Sequence, residues 1–399
     1  MTVKIEKSNA AGVISAPPSK SAAHRALICG ALSQKSIIEN IEYSNDILAT
    51  LDCLEALGAI VERGGNQVTL GGLNPFFSGN ATLDCRESGS TLRFLIPLCM
   101  LSGKKITLTG SERLYARNLE IYEQIASDNG ILFEKEINSL TVCGKIKNGS
   151  YKVAGNISSQ FISGLFFALP LLCGDSTVEI TGDYESEPYV DLTLKALSDF
   201  GVEITKQGRV YKIKGGQNYN FQNLTVEGDY SNAAFLDGFN LLGGNVTVTG
   251  LDKDSLQGDR IYKKMFKGIK SGEKQFDLSQ CPDLAPVMFA LSAVYGGAHF
   301  EGTSRLKIKE SDRAAAMASE LKKFGIKVDV FNNSVTVHGG KLKTPDETLC
   351  GHNDHRIVMA LSLLCSITGG SISDAQAVSK SYPDFFDRIK SLGIIVLEQ

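Results

Sequence analysis

Short polar clusters open six apolar, helix-like stretches along this chain. The clusters begin near residues 18–21, 87–90, 156–159, 228–231, 281–283 and 351–354. The stretches that follow, such as 94–98 and 165–173, hold almost only apolar side chains, which is typical of buried helices. Serine, aspartate and asparagine at these openings favour N-caps, and the N–H groups and dipole of a helix N-terminus attract anions. Several such helix ends around one point would form a pocket for a small, highly negative molecule.

A second pattern places glycine where a helix-like segment gives way to an alternating one. It recurs at Gly58, Gly130, Gly201, Gly325 and Gly393, with a weaker sixth copy near Gly268. Glycine at this position suits the left-handed conformation that ends many helices. The alternating residues then turn and return, as in 61–70 and 328–337, which predicts β-hairpins.

Together these patterns predict a repeat of strand, helix, strand, helix and hairpin (βαβαββ), about every 70 residues and about six times. Six unrelated α/β segments that share a glycine by chance are the alternative. Because the repeat is longer than the ~20–45 residues of thin solenoids, we expect an α/β protein with two globular halves of about three repeats each. Proline and glycine mark candidate junctions near 16–19 and 226–229.

Composition and charge restrict the class of function. The net charge of −3 argues against nucleic acid or an anionic membrane as partner. The longest apolar run, 165–173, is well short of the ~20 residues of a membrane span, and residues 1–7 are typical of a strand rather than a signal peptide. Nine dispersed cysteines without a CxxC pair predict reduced thiols in a cytoplasmic protein, not a metal site.

Two charged clusters at helix openings are candidates for chemistry. Lys20, Ser21 and Arg25 lie within one or two turns of a helix start and would face an anion together. A plain capped helix with solvated charges is the alternative. Residues 307–313 hold two lysines, two acids and an arginine. Such a run is usually a solvated surface, but Glu310 inside a basic site would suit proton transfer.

A third cluster, at 353–356, contains Asp354 at a first-turn position and Arg356, a bidentate donor for phosphate or carboxylate. Arg93, Arg117 and Lys380 are further cations near helix or loop openings, and 158–160 supply neutral donors. A cation-rich pocket on an acidic protein suits a small polyanion better than a polymer.

Five motifs, in this order and spacing, carry a resemblance to a known family. They are Pro-Ser-Lys-Ser at 18–21 with Arg25, Ser-Ser-Gln-Phe at 158–161, Lys-Glu-Ser-Asp-Arg at 309–313, Asp-His-Arg at 354–356 and Lys-Ser-Tyr-Pro at 380–383. From Lys4 to the C-terminus the chain resembles the 5-enolpyruvylshikimate-3-phosphate synthases. The resemblance implies a two-domain inverse α/β barrel with three βαβαββ units per domain. One domain would span 20–228, the other 1–19 plus 229–399, with the active site in a cleft that closes on substrate binding.

The activity that the resemblance implies is transfer of the enolpyruvyl group of phosphoenolpyruvate to the 5-hydroxyl of shikimate 3-phosphate. The family proceeds by addition and elimination through a tetrahedral intermediate, on the route to chorismate and the aromatic amino acids. It uses neither a metal nor an organic cofactor. Its members are mostly monomeric, so we expect a monomer whose partners are the two small-molecule substrates.

The resemblance also assigns site residues by motif position. Asp283 would accept the 5-hydroxyl proton, Glu310 would transfer a proton at the methylene carbon, and Lys20 would assist. The residues expected to bind shikimate 3-phosphate are Lys20, Ser21, Arg25, Ser158, Ser159, Gln160, Ser186, Tyr189, Asp283 and Lys309. Those expected to bind phosphoenolpyruvate are Lys20, Gly89, Arg93, Arg117, Gln160, Arg313, Arg356 and Lys380.

The chain departs from the family pattern at three positions. Glu87 stands where a neutral amide is common, Phe94 where many members have proline, and Arg305 where some use asparagine. Gly89, whose small size usually admits glyphosate, is retained, so we expect a glyphosate target.

Two other functions remain as alternatives. The sister enolpyruvyl transferases that act on UDP-N-acetylglucosamine carry Lys-Asn at the first motif and a reactive cysteine on a loop. This chain has Lys20-Ser21 and no cysteine at 113–117. A non-catalytic α/β repeat protein, such as an RNA-binding module, would need a basic stripe with exposed aromatic residues.

Overall fold

A computed structural model describes residues 1–76 and 79–398. The chain forms two compact units, each with its own hydrophobic core. Unit 1 combines Met1–Pro17 with the chain from Glu227 onward, and unit 2 is Pro18–Val226. The domain boundaries at 19/20 and 228/229 stay a prediction of the sequence.

The strands are short and are distributed along the whole chain. In chain order they are β1 (Val3–Ile5), β2 (Ala11–Ser15), β3 (Ser36–Glu39), β4 (Ile60–Gly64), β5 (Gln67–Gly71), β6 (Ala81–Asp84), β7 (Ile106–Thr109), β8 (Leu132–Lys135), β9 (Ser139–Cys143), β10 (Ser150–Ala154), β11 (Ser176–Thr181), β12 (Ile204–Gln207), β13 (Val210–Ile213), β14 (Asn223–Thr225), β15 (Asn245–Thr249), β16 (Gln275–Asp277), β17 (Gly297–Glu301), β18 (Val328–Val330), β19 (Ser334–His338), β20 (Leu349–Cys350), β21 (Gly370–Ser373) and β22 (Val396–Glu398).

The helices alternate with these strands. They are α1 (Lys20–Leu32), α2 (Asn45–Ala56), α3 (Gly89–Ser102), α4 (Glu112–Tyr115), α5 (Glu120–Asn129), α6 (Ser159–Ala168), α7 (Glu187–Asp199), α8 (Tyr230–Leu241), α9 (Tyr262–Ser271), α10 (Ala285–Val294), α11 (Arg313–Lys323), α12 (His355–Thr368) and α13 (Phe385–Ser391). No helix among the described residues combines the length and the apolar character that crossing a membrane requires.

The predicted βαβαββ repeat is confirmed by the sheet topology. In the repeat from β6 to β9 the strand order is β6-β7-β9-β8, with one parallel pair, one antiparallel pair and a hairpin. The same order recurs in β10-β11-β13-β12 and β16-β17-β19-β18. Both hairpins predicted at 61–70 and 328–337 form, as β4-β5 and β18-β19.

Strands from distant parts of the chain complete the other repeats. β14 pairs with β3 and fills the first position of the sheet that contains the β4-β5 hairpin. β1 lies between β21 and β22. The repeat around α8 and α9 is shorter in the described chain, with only the parallel pair β15-β2, because β16 of the next repeat begins three residues after Gly272.

The glycine pattern is confirmed at five positions and wrong at the sixth. Gly58 and Gly325 have φ angles of 102° and 83°, and Gly130, Gly201 and Gly393 are also left-handed. The weaker copy near Gly268 does not end a helix. α9 continues to Ser271, and Gly272, with a φ angle of 89°, ends it instead.

The first helix of each repeat is the more deeply buried one. In α3 every residue except Ser90 is buried, and in α12 every residue except Ile367. A helix that is apolar on all sides belongs inside a core. The polar N-terminus of such a helix is then the part where a ligand can bind.

Candidate functional site

Side-chain caps start five of the six helices that the polar clusters predicted. Ser19, Ser88, Ser158, Asp229 and Asp354 each accept a hydrogen bond from an N–H of the first turn. The sixth helix, α10, is preceded by a 3-10 turn at Pro282–Leu284, which places Asp283 at the helix entrance. The predicted openings are therefore helix N-termini, and part of the candidate site lies at them: Lys20, Ser21, Gly89, Ser158, Ser159, Gln160, Asp283 and Arg356.

Lys20 in unit 2 is held by a carboxylate that the sequence did not indicate. Its Nζ lies 2.7 Å from Oδ2 of Asp46, in the first turn of α2, and both side chains are largely buried. A buried ammonium needs such a partner. The pair fixes Lys20 at the start of α1.

Arg25 lies one turn further along α1 and binds backbone oxygens. Its Nη1 donates to the Ser21 carbonyl at 2.6 Å, its Nη2 to the Tyr189 carbonyl at 2.8 Å, and its Nε to the Thr193 hydroxyl at 2.8 Å. Burial lowers the pKa of Arg25 to about 10, which still leaves it charged at neutral pH. The structure thus brings Arg25, Ser21 and Tyr189 together, with α7 packed against α1.

Ser186 and the serines at the start of α6 are further predicted residues of unit 2. Ser158 accepts from the N–H of Gln160 at 3.3 Å, and Ser159 is buried in the first turn. Ser186 has a φ angle of 54° directly before α7. A non-glycine residue in this conformation is strained and is often found at functional sites.

Three side chains converge on Gly89 at the N-terminus of α3. A Cβ at Gly89 would lie 2.8 Å from Nη1 of Arg117, 3.1 Å from Nη1 of Arg93 and 3.6 Å from Oε1 of Gln160. Arg93 Nη1 donates to Gln160 Oε1 at 2.8 Å, and Gln160 Nε2 donates to the Ser90 hydroxyl at 3.0 Å. We call Gly89, Arg93, Arg117 and Gln160 the arginine cradle.

The arginine cradle has the chemistry of an anion site. Two guanidinium groups lie beside each other at a helix N-terminus, where the helix dipole also favours negative charge. The Nε of Arg117 is buried and has no hydrogen-bond partner in the described protein. Both arginines are nearly fully buried, so a phosphate or carboxylate bound between them would be shielded from water.

A buried row of hydroxyl groups connects the starts of α1 and α3. His24 Nδ1 lies 2.8 Å from the Thr50 hydroxyl, which lies 2.7 Å from the Thr91 hydroxyl, and Thr91 donates to the Ser88 cap at 2.7 Å. Burial, with Lys20 and Arg25 nearby, holds the pKa of His24 well below its ordinary value, so the ring is neutral. These residues support the site, and of the four only Ser88 lies in a polar cluster that the sequence pattern marked.

In unit 1, Asp283 is the centre of a cation cluster. Its Oδ1 lies 3.2 Å from Lys309 Nζ and 2.7 Å from Arg313 Nη1, and its Oδ2 lies 3.1 Å from Arg356 Nη2. Burial alone would raise the pKa of Asp283, but Arg356, Lys309 and Arg313 outweigh it and hold the pKa well below its ordinary value. The carboxylate is therefore ionised at neutral pH.

Arg313 joins three carboxylates in this cluster. Besides Asp283, it contacts Oε2 of Glu310 through Nη2 at 2.7 Å and Oδ2 of Asp354 through Nε at 2.9 Å. Its side chain is 1% exposed and that of Asp354 is 0% exposed. The three acids raise its pKa against the effect of burial. Asp354 also accepts from the Ser311 hydroxyl at 3.0 Å.

Lys380 belongs to the same region through the backbone. Its Nζ donates to the carbonyl of Asn353 at 2.5 Å, directly before the Asp354 cap. Arg305, at the departure from the family pattern, is buried and donates from Nη2 to the Ser279 carbonyl. Lys309, Glu310, Arg313, Arg356 and Lys380 thus gather around Asp283 and Asp354.

The sequence named the cations of both clusters, and Asp283 and Glu310 among their acids, but it missed the orienting role of two others, Asp46 and Asp354. Asp46 was not singled out, and Asp354 was named only as a first-turn residue. Each lies at a helix N-terminus, which was the available signal. Among the described residues no group of three or more His, Cys, Asp or Glu side chains is arranged to hold a metal ion.

Comparison with known proteins agrees with these motifs. The sequence model of the family "EPSP synthase (3-phosphoshikimate 1-carboxyvinyltransferase)" matches residues 5–389. A 3-phosphoshikimate 1-carboxyvinyltransferase from Clostridium kluyveri is 42% identical over 98% of this chain and 97% of its own. Those from Clostridium novyi and from Clostridium perfringens strain 13 are 41% and 39% identical, with at least 98% of each chain covered.

Solved structures confirm the predicted inverse α/β barrel. Two structures of EPSP synthase from Acinetobacter baumannii superpose with TM-scores of 0.79 and 0.80 and cover 100% of both chains, at 21% and 20% identity. The fold comparison and the full-length sequence matches agree with each other. This chain therefore belongs to the EPSP synthase family.

Proposed function

We infer that this protein transfers the enolpyruvyl group of phosphoenolpyruvate to the 5-hydroxyl of shikimate 3-phosphate and releases phosphate, in the shikimate pathway. Family membership over nearly the whole chain supports the reaction. The observation that carries it is the cation cluster on Asp283, since an acid that is ionised among three cations suits chemistry on anionic substrates.

We propose that the arginine cradle and the cation cluster on Asp283 both contribute ligands for phosphoenolpyruvate and shikimate 3-phosphate. The arginine cradle would bind phosphoenolpyruvate together with Lys20, Arg313, Arg356 and Lys380. Ser21, Arg25, Ser158, Ser159, Ser186, Tyr189 and Lys309 would bind shikimate 3-phosphate, with Lys20, Gln160 and Asp283 as further contacts. The charges support this division, because both substrates carry phosphate or carboxylate groups that match guanidinium and ammonium donors.

In the proposed mechanism the reaction has two balanced steps. In the addition, Asp283 accepts the 5-hydroxyl proton while that oxygen bonds to C2 of phosphoenolpyruvate, and Glu310 delivers a proton to C3. The resulting tetrahedral intermediate then returns a proton from C3 to Glu310 and expels phosphate from C2, and Asp283 releases its proton to solvent. Lys20 would stabilise charge on the leaving phosphate.

Location and assembly are also proposals. All nine cysteines, which lie in the described part of the chain, are free thiols, which fits a cytoplasmic protein. We propose that the protein acts there as a monomer.

The reaction itself is tested by phosphate release. Phosphoenolpyruvate with shikimate 3-phosphate should release phosphate at a typical enzymatic rate of about 1–10³ per second. Parallel mixtures should contain UDP-N-acetylglucosamine in place of shikimate 3-phosphate, or no acceptor at all. Release with UDP-N-acetylglucosamine alone would favour the sister transferases. If no phosphate is released with either shikimate 3-phosphate or UDP-N-acetylglucosamine, the proposed function is overturned. Salt-sensitive binding of RNA would then favour the repeat-protein alternative.

Replacement of Gly89 by alanine tests the arginine cradle. The new Cβ would lie 2.8 Å from Arg117 Nη1 and 3.1 Å from Arg93 Nη1, so both guanidinium groups would have to move. Because these are flexible side-chain ends, the protein should fold, but the KM for phosphoenolpyruvate should rise by about 10–100-fold, which corresponds to roughly 1–3 kcal/mol. The KM for shikimate 3-phosphate should change far less.

The control for this experiment is Gly64→Ala, where no atom lies within 4 Å of the added Cβ. An unchanged KM for phosphoenolpyruvate in Gly89→Ala would contradict the assignment of the cradle. Inhibition by glyphosate is measured in the same assays. We propose that the wild-type protein is sensitive and that Gly89→Ala requires a higher glyphosate concentration for half-inhibition.

A further inference from the structure

A buried carboxylate outside the proposed catalytic set holds the segment that precedes α12. Glu320 lies on α11 and is 1% exposed. Its Oε2 accepts the N–H of Cys350 at 2.8 Å, and its Oε1 lies 2.9 Å from Nε2 of His352. Lys323 adds an ion pair at 3.0 Å. Glu320 is thus tied to residues on both sides of Gly351.

The charge of Glu320 is stabilised in this position. Burial alone would raise its pKa, but hydrogen bonds from His352, from the Cys350 N–H and from Lys323 outweigh burial and lower the pKa. A carboxylate that accepts several hydrogen bonds in a dry site is ionised and rigid. Glu320 therefore forms a fixed acceptor at the end of α11.

The segment that Glu320 contacts has a strained backbone. His352 and Asn353 have φ angles of 50° and 49°, two consecutive residues in the left-handed region. For residues other than glycine this conformation costs about 1–2 kcal/mol each, with less for asparagine. It persists only where surrounding contacts enforce it. The imidazole of His352 on Glu320 is such a contact.

The same helix holds the other end of the segment. Arg313 in the first turn of α11 binds Asp354, and Glu320 follows seven residues later. Seven residues are about two helical turns, so both side chains lie on one face, about 10 Å apart along the axis. Residues 350–354 therefore run along α11 between Glu320 and Arg313.

Groups of the proposed phosphoenolpyruvate site depend on this segment. Asp354 orients Arg313 and caps α12 by accepting the N–H of Arg356 at 3.0 Å. The carbonyl of Asn353 accepts from Lys380. If the left-handed turn relaxed, Asp354 and this carbonyl would move together, and three proposed phosphoenolpyruvate ligands would lose their alignment.

We propose that Glu320 and His352 are positioning residues that hold segment 350–354 in its left-handed conformation and thereby align Arg313, Arg356 and Lys380. This inference rests on the proposed function for its kinetic consequence. It assigns Glu320 a role through other residues and no contact with substrate. Loss of the pair should weaken phosphoenolpyruvate binding selectively, because the proposed shikimate 3-phosphate ligands lie mostly in unit 2.

The experiment compares four variants with wild type. Glu320→Ala and His352→Ala each remove one side of the pair, and alanine at 352 keeps the cost of the left-handed backbone, so the turn loses its support while the strain remains. In both, the KM for phosphoenolpyruvate should rise by about 10–100-fold, because small misplacement of binding groups has effects of this size. The dissociation constant for shikimate 3-phosphate should stay within about twofold of wild type, and Glu320→Gln, which keeps a hydrogen-bonding group, should restore most of the KM.

The matched control is Asp329→Ala, which breaks the comparable contact between Asp329 and His338, 2.7 Å long, on the exposed β18-β19 hairpin. It should leave both substrates unaffected. A purely structural role for Glu320 would lower the melting temperature and the active fraction without changing the KM for phosphoenolpyruvate. That result in Glu320→Ala would overturn the proposal. If Glu320→Ala fails to fold, an unchanged KM for phosphoenolpyruvate in His352→Ala would overturn it instead.

Hydrogen exchange separates this proposal from the proposed function. The Asp354 N–H donates to the Gly351 carbonyl at 2.9 Å across the strained turn. Its exchange in the substrate-free protein should accelerate at least about tenfold in Glu320→Ala and His352→Ala but not in Asp329→Ala. Absence of phosphate release by wild type would refute the proposed function alone, and unchanged exchange in both variants would refute the positioning role alone.

Discussion

Replacement of Asp283 by asparagine should lower kcat by about 10²–10⁴-fold, the usual contribution of a positioned general base. Asparagine has nearly the same shape but cannot accept the 5-hydroxyl proton at neutral pH. Phosphoenolpyruvate should bind at least as tightly as in wild type, because the substitution removes a negative charge from among Lys309, Arg313 and Arg356. The measurement is kcat and both KM values from phosphate release.

The electrostatics of the cluster explain why Asp283 suits this role only with substrates bound. In the substrate-free protein the three cations hold its pKa well below the ordinary value, and such a carboxylate is a weak base. Phosphate and carboxylate groups that bind Arg313 and Arg356 would share their charge, and the pKa of Asp283 would rise. Substrate binding would thus convert Asp283 from a carboxylate held in ion pairs into a stronger base.

Asp312→Asn is the matched control for this prediction. Asp312 lies in the motif that contains Lys309 and Arg313, two partners of Asp283. It caps α11 by accepting the N–H of Ala315 at 3.1 Å, which asparagine can also do. It should keep near wild-type kcat. Full activity in Asp283→Asn would end its assignment as the base. An equal loss of kcat with a much higher KM for phosphoenolpyruvate would assign Asp283 to arranging the cations instead.

The helix starts were predictable because their signals are local. A serine or aspartate cap satisfies N–H groups two or three residues away, so the pattern is visible in a short window of sequence. The repeat was predictable for the same reason, since each helix before a hairpin ends at a glycine, which is visible in the neighbouring sequence. Together they gave the βαβαββ order and the positions of Lys20, Arg93 and Arg356 at helix starts.

Gly268 shows where local signals mislead. It follows an aromatic residue and a lysine and precedes isoleucine, much like Gly325, yet it lies inside α9. A Cβ there would lie 2.2 Å from a carboxylate oxygen of Glu273 and 3.3 Å from the ring of Phe276. Close packing of the following loop against the helix explains this glycine, and packing of that kind has no signature at the sequence level.

The acids that orient the cations were beyond sequence reasoning for a related reason. Lys20 and Asp46 are 26 residues apart, and Arg313 and Asp354 are 41 apart. Only the packing of separate helices brings each pair together. The resemblance supplied the proposed substrate-binding cations by motif. Within the described part of the chain Glu320 has no hydrogen bond to a residue of the five motifs, and its partner His352 lies two residues before one of them, so Glu320 became visible only through its hydrogen bonds.

Replacement of Arg313 by leucine should destabilise the protein by about 3–5 kcal/mol and abolish activity. The substitution leaves Asp354 fully buried with the Ser311 hydroxyl and the Arg356 N–H but no cation on its carboxylate, and it removes a partner from Asp283 and Glu310. Breaking a buried charge network in this way costs more than the network contributed, because unpaired charges stay in the interior. Urea unfolding measures the stability and phosphate release the activity.

The pH dependence gives this prediction a second test. In wild type the depressed pKa of Asp283 contributes stability that is fully present above the unfolded-state pKa of aspartate, about 3.9, and is lost as the pH falls further. In Arg313→Leu, Asp283 keeps Lys309 and Arg356 but loses one of its three cations, so its pKa lies closer to the ordinary value and less stability is lost as the pH falls. The stability difference between the two proteins should therefore shrink as the pH falls below about 4.

Arg63→Leu is the control, because Arg63 also contacts two acids, Asp52 and Glu55, but its side chain is 35% exposed. Exposed pairs contribute about 0–1 kcal/mol, so this variant should unfold close to wild type at every pH. Arg313→Lys keeps the charge but lacks the planar guanidinium that contacts three carboxylates. Its stability should therefore lie between that of Arg313→Leu and that of Arg63→Leu. If Arg313→Leu unfolded like Arg63→Leu, the three acids would have to be neutral or hydrated, and the ionised network around Asp283 would be refuted.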